Sequence, residues 1–171
     1  GAEEPLLDAP VIESVYSKKQ DTAKVTWTKL EKAEGYQIWR AASPDASEAD
    51  WSLIKTIKGD DVEKYTKDGT MQYTNVNLTV GQTYYYKVRA FKVKSGATDA
   101  NDEASRNYSE FSEVKYMPAA VVFDNLYSNS TSRVRILWNE ISGAHGYQIW
   151  RKGEDGEYKI VKTLGDKGNT L

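Results

Sequence analysis

Two octapeptides govern how this chain can fold. Residues 33–40 read AEGYQIWR and residues 144–151 read AHGYQIWR, so seven of eight positions agree at an offset of 111. Trp27 and Trp138 stand at the same offset, as do Leu30 and Ile141. Val25 matches Val134 with a shift of two residues. Lys55-Thr56-Ile57 matches Lys162-Thr163-Leu164 at an offset of 107, so the second copy is four residues shorter after the octapeptide. In a chain of 171 residues, such a repeat means one module followed by the start of another. Leu171 aligns with about Lys64, and the second copy has no equivalents of residues 65–117.

Within each copy the apolar period is two. Ala23, Val25 and Trp27 alternate with Lys24, Thr26 and Thr28, and Tyr36 and Ile38 alternate with Gln37 and Trp39. Tyr84, Tyr86, Val88 and Ala90 alternate with Tyr85, Lys87, Arg89 and Phe91. This is the pattern of half-buried antiparallel strands rich in aromatic and β-branched residues. It predicts strands A to G at 11–17, 23–28, 35–41, 51–57 (C′), 71–77 (E), 83–93 (F) and 108–116 (G). In the second copy, A, B, C and C′ fall at 121–127, 133–139, 146–152 and 158–164. No helix is expected, and Pro44 makes 41–50 a loop. The fold class is all-β, a seven-stranded antiparallel sandwich followed by an incomplete second copy. The domain reading is a lead-in at 1–9, a full module at 10–117, a Pro-marked linker at 118–120 and a partial module at 121–171. Gly1, with no Met before it, reads as a residue left by trimming. The unfinished copy is either cut inside a module, the plainer reading, or completed in trans.

Residues 78–84, LTVGQTY, carry an L-x-x-G-x-x-Y pattern in which Gly81 permits a tight turn before Tyr84. Together with Trp27 and Trp138 on the B strands, and Tyr36-x-Ile38 and Tyr147-x-Ile149 on the C strands, this resembles the fibronectin type III family and its tyrosine corner. The F strand at Tyr86, Val88 and Ala90 and a G strand at 111–114 continue the resemblance. It implies a structural role for Trp27, Tyr36, Leu78, Gly81, Tyr84, Trp138 and Tyr147. The Tyr84 hydroxyl is expected to bond backbone near 78–81. The wording GYQIWR beside a Tyr-rich F strand is most similar to modules of exported bacterial surface proteins and polysaccharide-degrading enzymes, which implies a secreted or cell-surface location.

Composition closes off most chemistry. There is no Cys and a single His, so thiolate and most zinc or acid–base chemistry have no residues to work with. His145 replaces Glu34 of the first copy, which marks an exposed turn. Asp99, Asn101, Asp102 and Glu103 offer oxygens but lack the spacing of a calcium loop. Neither metal nor cofactor is expected. The net charge of −2, with no basic stripe, argues against nucleic acid. No run approaches about 18 apolar residues, so no helical membrane insertion is expected.

What chemistry the sequence does hold is aromatic: 12 Tyr, 5 Trp and 3 Phe. Strand parity sends Trp39 and Trp150 outward from the C strands, and Tyr85, Lys87, Arg89 and Phe91 outward from F. These six residues are the candidate surface platform for a sugar or a neighbouring module. The competing reading is a cation–π pair between Trp39 and Lys87 or Arg89. The long F–G connection at 94–107 and the acidic 41–50 loop are further binding candidates. The reading as a whole is a non-catalytic spacer or protein-interaction segment of an exported or cell-surface protein. The rival is an accessory carbohydrate-contacting module of a secreted glycoside hydrolase. Expected partners are protein or polysaccharide at the cell surface, with self-association through residues 121–164, where Val134, Ile136, Trp138, Tyr147 and Ile149 lack the strands that would cover them.

Overall fold

The computed structural model describes residues 7–17, 19, 21–97, 99, 101–117, 123–141, 144 and 146–165. The chain divides into two compact units, Gly1–Ala120 and Val121–Leu171. The start of the lead-in, the linker and His145 lie outside the described residues.

In the first unit the strands are β1 (Ile12–Tyr16), β2 (Ala23–Thr28), β3 (Gly35–Ala41), β4 (Ser52–Lys58), β5 (Thr66–Lys67), β6 (Thr70–Asn75), β7 (Tyr84–Val93), β8 (Arg106–Tyr108) and β9 (Lys115–Met117). One sheet runs β1-β2-β6-β5; the other runs β4-β3-β7-β8, with β9 also on β7. All of these pairings are antiparallel. An A-B-E sheet thus faces a C′-C-F-G sheet, the sandwich the alternation predicts.

The parity of β2 is explicit. Ala23, Val25 and Trp27 are wholly buried, whereas Lys24, Thr26 and Thr28 are only partly so. The Trp27 ring meets Tyr36 of the opposite sheet edge-on, with centroids 5.7 Å apart. Around this pair pack Ile38, Met71, Tyr86 and Val88. The Tyr36 hydroxyl accepts a bond of 2.7 Å from the Leu30 amide. Burial pushes that hydroxyl above its ordinary pKa, partly offset by the Leu30 bond. The Trp27 indole N–H has no partner. Leaving it so costs about 1–3 kcal/mol, less than the roughly 3–5 kcal/mol lost on removing a buried large aromatic, so volume wins over the hydrogen bond.

The tyrosine corner forms as the spacing implies. The Thr79 amide donates to the Tyr84 hydroxyl at 3.0 Å, and Leu78 is buried beneath. Gly81 has φ +88°, where a side chain would be strained.

Three expectations need correction. A short helix, α1, occupies Asp61–Lys64 and carries an Asp61–Lys64 ion pair of 2.8 Å at its surface. The F–G loop ends early, in a 3₁₀ turn at Glu103–Ser105, so β8 begins at Arg106. The G strand is also not continuous. Between β8 and β9, Ser109 and Ser112 turn their hydroxyls onto β7 and accept from the Ala90 and Val88 amides at 2.9 and 3.0 Å. Side-chain oxygens replace ladder carbonyls there, and the strand breaks without orphaning the β7 amides.

The second unit holds β10 (Phe123–Ser130), β11 (Arg133–Trp138), β12 (Tyr147–Lys152) and β13 (Tyr158–Leu164), paired as β10-β11 and β12-β13. Its registers copy those of the first unit. Tyr36 faces Ile57 and Tyr147 faces Leu164, and both C–C′ pairs shift register at the residue before the tryptophan. Both A–B pairs shift one residue after their first partner, at Ile12/Ser14 and Phe123/Asn125. Ile136 takes the place of Val25, and Val134 that of Ala23, which corrects the Val25–Val134 match. The Trp138–Tyr147 contact, at 5.6 Å, and the Ile141 amide bond to the Tyr147 hydroxyl, at 2.7 Å, repeat the first copy's core pair. Yet Val134 is 64% exposed where Ala23 is 0%.

Trp27→Ala is expected to cost on the order of 3–5 kcal/mol, enough to abolish the cooperative melting of the first unit. A transition within a few degrees of the parent would refute the role given to Trp27. Tyr84→Phe is expected to cost about 0.5–1.5 kcal/mol by orphaning the Thr79 amide. Equilibrium urea unfolding checks it, with no change in midpoint as the contrary result.

Candidate functional site

The outer face of the β4-β3-β7-β8 sheet is where the chain gathers its functional side chains. Cross-strand pairing sets Gln37 opposite Arg89, Trp39 opposite Lys87 and Gly35 opposite Phe91. Gln37 is wholly buried although it is polar and points away from the core. Its Oε1 accepts from Arg89 Nε at 2.9 Å and from Trp39 Nε1 at 3.4 Å, and its Nε2 donates to the Tyr108 hydroxyl at 3.4 Å. One amide therefore ties three elements together.

Cations and rings interleave above it. The Arg89 guanidinium lies 3.7 Å from the Tyr108 ring centroid, 4.9 Å from Phe111 and 5.5 Å from Trp39. Lys87 Nζ sits 4.1 Å from Phe111 and 4.4 Å from Trp51. Arg106 caps Phe91 at 4.5 Å. Trp39 also meets Phe111 edge-on at 6.1 Å. Burial lowers the pKa of Lys87, with Glu48 opposing and Arg89 reinforcing the shift. Burial likewise lowers Arg89, which still stays protonated. A planar guanidinium spreads over several rings, whereas a point ammonium fits between two; that difference assigns Arg89 rather than Lys87 to Trp39.

Of the six platform residues, the structure brings Trp39, Lys87 and Arg89 together. Phe91 is a correction: it has outward parity but is 1% exposed. Its ring fills the space left by Gly35, where a Cβ would lie 2.2 Å from Phe91 Cζ, and Arg106 covers it. Tyr85 stands apart, against Tyr116 at 5.2 Å. Trp150 belongs to the second unit, where its Nε1 donates to Gln148 at 3.3 Å as Trp39 does to Gln37. Sequence reasoning missed Gln37, Trp51, Arg106, Tyr108 and Phe111. The flanking serines at 109 and 112 were the available signal, since their hydroxyls take the place of ladder carbonyls on either side of Phe111.

The long F–G loop is tied to the chain itself. Asp99 accepts from the Asn101 amide at 2.9 Å and Asp102 from the Ala104 amide at 3.1 Å, while Lys58 donates to the Asn101 side chain. Among the described residues no three His, Cys, Asp or Glu side chains gather as metal donors.

Arg89→Met removes the charge and the Gln37 bond at nearly constant length. It is expected to cost about 2 kcal/mol, with Arg89→Lys recovering only part. Thermal melting checks this; a melting temperature equal to the parent's in Arg89→Met would show that the stack adds nothing.

No family model and no curated protein matches the chain. Among solved structures, the chicken CNTN1 FN1-FN3 domains match with 20% identity over 68% of this chain and 31% of that one, at a TM-score of 0.47. A β-1,2-glucanase from Parabacteroides distasonis matches with 19% identity over 66% of this chain and 13% of that one, at a TM-score of 0.46. The sixth fibronectin type III domain of human fibronectin type III domain containing protein 3 matches with 17% identity over 70% of this chain and 90% of that one, at 0.40. The chain thus spans less than a third of the glucanase and CNTN1 chains. These structural neighbours include fibronectin type III domains; the chain's own strand order is that of an all-β sandwich of two antiparallel sheets.

Proposed function

We propose that the chain is a non-catalytic spacer or protein-interaction segment of an exported, cell-surface protein, built from fibronectin type III-like modules in tandem. The observation that supports this is the internally satisfied outer face of the C′-C-F-G sheet. Arg89 is engaged by Gln37 and by the rings of Tyr108, Phe111 and Trp39, and Lys87 by Trp51 and Phe111. A catalytic surface keeps polar groups poised for a substrate. Here those groups brace the sheet, which suits a stiff element that transmits distance. The fibronectin type III-like fold often serves in this way.

The second reading, a carbohydrate-contacting accessory module of a secreted glycoside hydrolase, draws on Trp39, which is only half-buried on that same face. A polysaccharide pull-down and glycan array with the 171-residue chain separates the two. The spacer reading expects no saturable retention on any glycan. Retention that Trp39→Ala abolishes without lowering the melting temperature would overturn it in favour of the second reading.

A further inference from the structure

Within the first unit, one edge of the A-B-E sheet is open over part of its length. β5 pairs with β6 only where Thr66 faces Met71 and Lys67 faces Thr70, and the Gln72 amide then donates to the Tyr65 carbonyl at 2.8 Å. Beyond that bond, among the described residues, no strand pairs with this side of β6. Alternation along a strand sends the Thr74 N–H and C=O the same way as those of Gln72, so this backbone pair meets no ladder partner. A groove of about 300 Å³ follows the open edge, lined by Lys24, Lys64, Tyr65, Gln72, Tyr73 and Thr74. Part of its wall is aromatic: the Tyr65 and Tyr73 rings lie 6.1 Å apart, both half-buried against the core. The rest carries positive charge. Lys24 stands on β2 opposite Thr74 and, among the described residues, makes no ion pair, only a 5.9 Å approach to the Tyr16 ring. Asp61 is paired with Lys64 at 2.8 Å, and Lys64 first, then Lys55 and Lys58, hold its carboxyl below the usual range. With Asp60 beside Lys64, three lysines face two aspartates, while Glu63 is taken by Lys29 at 2.6 Å.

We propose that this groove docks an extended acidic segment of a partner protein, added as a strand along β6 with its carboxylates toward Lys24 and Lys64 and an apolar side chain turned to Tyr65 and Tyr73. The backbone supplies the first reason. Thr74 offers one N–H and one C=O on the same edge, which is the pair that one residue of an incoming strand satisfies. Side-chain parity supplies the second. Alternate side chains of a strand point to opposite faces, so two carboxylates two residues apart share the lysine side while the residue between them meets the rings. Charge supplies the third. Lys87 and Arg89 of the opposite sheet are each held by rings, whereas Lys24 is left to answer a charge from outside the chain. A lysine beside an open edge deters a second copy of the same edge, and a strand that carries carboxylates gains from that same charge. The short helix α1 fixes the far wall: the Tyr65 amide donates to the Asp61 carbonyl at 3.2 Å, and the Thr66 hydroxyl donates to the Val62 carbonyl at 2.7 Å. The groove is therefore formed before any partner arrives.

This inference rests on the protein-interaction side of the function proposed above, and its test is independent of the glycan result. The probe is a short acetylated peptide alternating Glu and Val, titrated to about 1 mM into the isotope-labelled 171-residue chain and followed by amide chemical shifts. Saturable shifts are expected at Lys24, Gln72, Tyr73 and Thr74, with slowed exchange of the Thr74 amide. Lys24→Glu is expected to weaken binding about tenfold or more while leaving the melting temperature in place. A peptide alternating Lys and Val is expected to leave the spectrum unchanged, and so is the Glu–Val peptide N-methylated at alternate residues, which keeps every carboxylate and loses the strand edge. No saturable shift with the Glu–Val peptide would overturn the inference and leave the spacer reading to the glycan assay. Equal binding of the Lys–Val peptide would overturn it by removing the charge selection. Full binding of the N-methylated peptide would overturn it by removing the added strand.

Discussion

Everything in the first unit is arranged around one contact, the edge-on packing of Trp27 on Tyr36. Trp27 comes from the A-B-E sheet and Tyr36 from the C′-C-F-G sheet, so the pair is the bolt between layers. It sets sheet spacing and the facing registers together, since a slip of one residue would turn either ring to solvent. The Tyr36 hydroxyl reaches past the core to the Leu30 amide and holds the B–C turn that returns the chain between sheets. That the bolt tolerates an unpartnered indole N–H shows which term dominates: filled apolar volume outweighs one missing hydrogen bond.

The outer face is organised by a different force. Gln37 could not be buried there without partners, and it finds them in Arg89, Trp39 and Tyr108. Once Arg89 is held, its guanidinium is the surface on which the rings stack. The break in the G strand follows from the same need. A regular strand would carry 111 along the ladder, whereas the Ser109 and Ser112 hydroxyls release it and leave Phe111 over Lys87 and Arg89. The cost of interrupting a ladder is offset by cation–π contacts of roughly 0.5–2 kcal/mol each, the larger values where water is excluded.

The second unit isolates what the first half of such a module can do by itself. The A–B and C–C′ pairs form with their bulges in the same places, and the tryptophan–tyrosine contact forms too. These are local pairings or close neighbours in sequence, with small loop-closure cost. Burial is what they cannot supply. Val134 stays mostly exposed, whereas Ala23 at the same register position is wholly buried in a unit where β6 and β7 complete the two sheets.

The alternation in β2, β3 and β7 and the L-x-x-G-x-x-Y spacing were enough to read the strands, their inner faces and the tyrosine corner from residues alone, because period two and the demand for a positive φ are local properties. The repeat of GYQIWR placed the two C strands in register, whereas the match of Val25 to Val134 on the B strands slipped by two residues. The outer face was legible only in part. Parity put Trp39, Lys87, Arg89 and Phe91 on one side, but parity does not say which side chains a neighbouring strand will cover. Phe91 is buried because Gly35 lies across from it and Arg106 folds over it, and Lys87 finds Trp51 and Phe111 because β4 and the broken G strand bring them there. The strand period and the inner faces of β2, β3 and β7 were therefore determined by the sequence by itself, whereas the break in the G strand and the partners of each outward cation were decided only by the tertiary structure, since they come from segments that meet solely once the sandwich has closed.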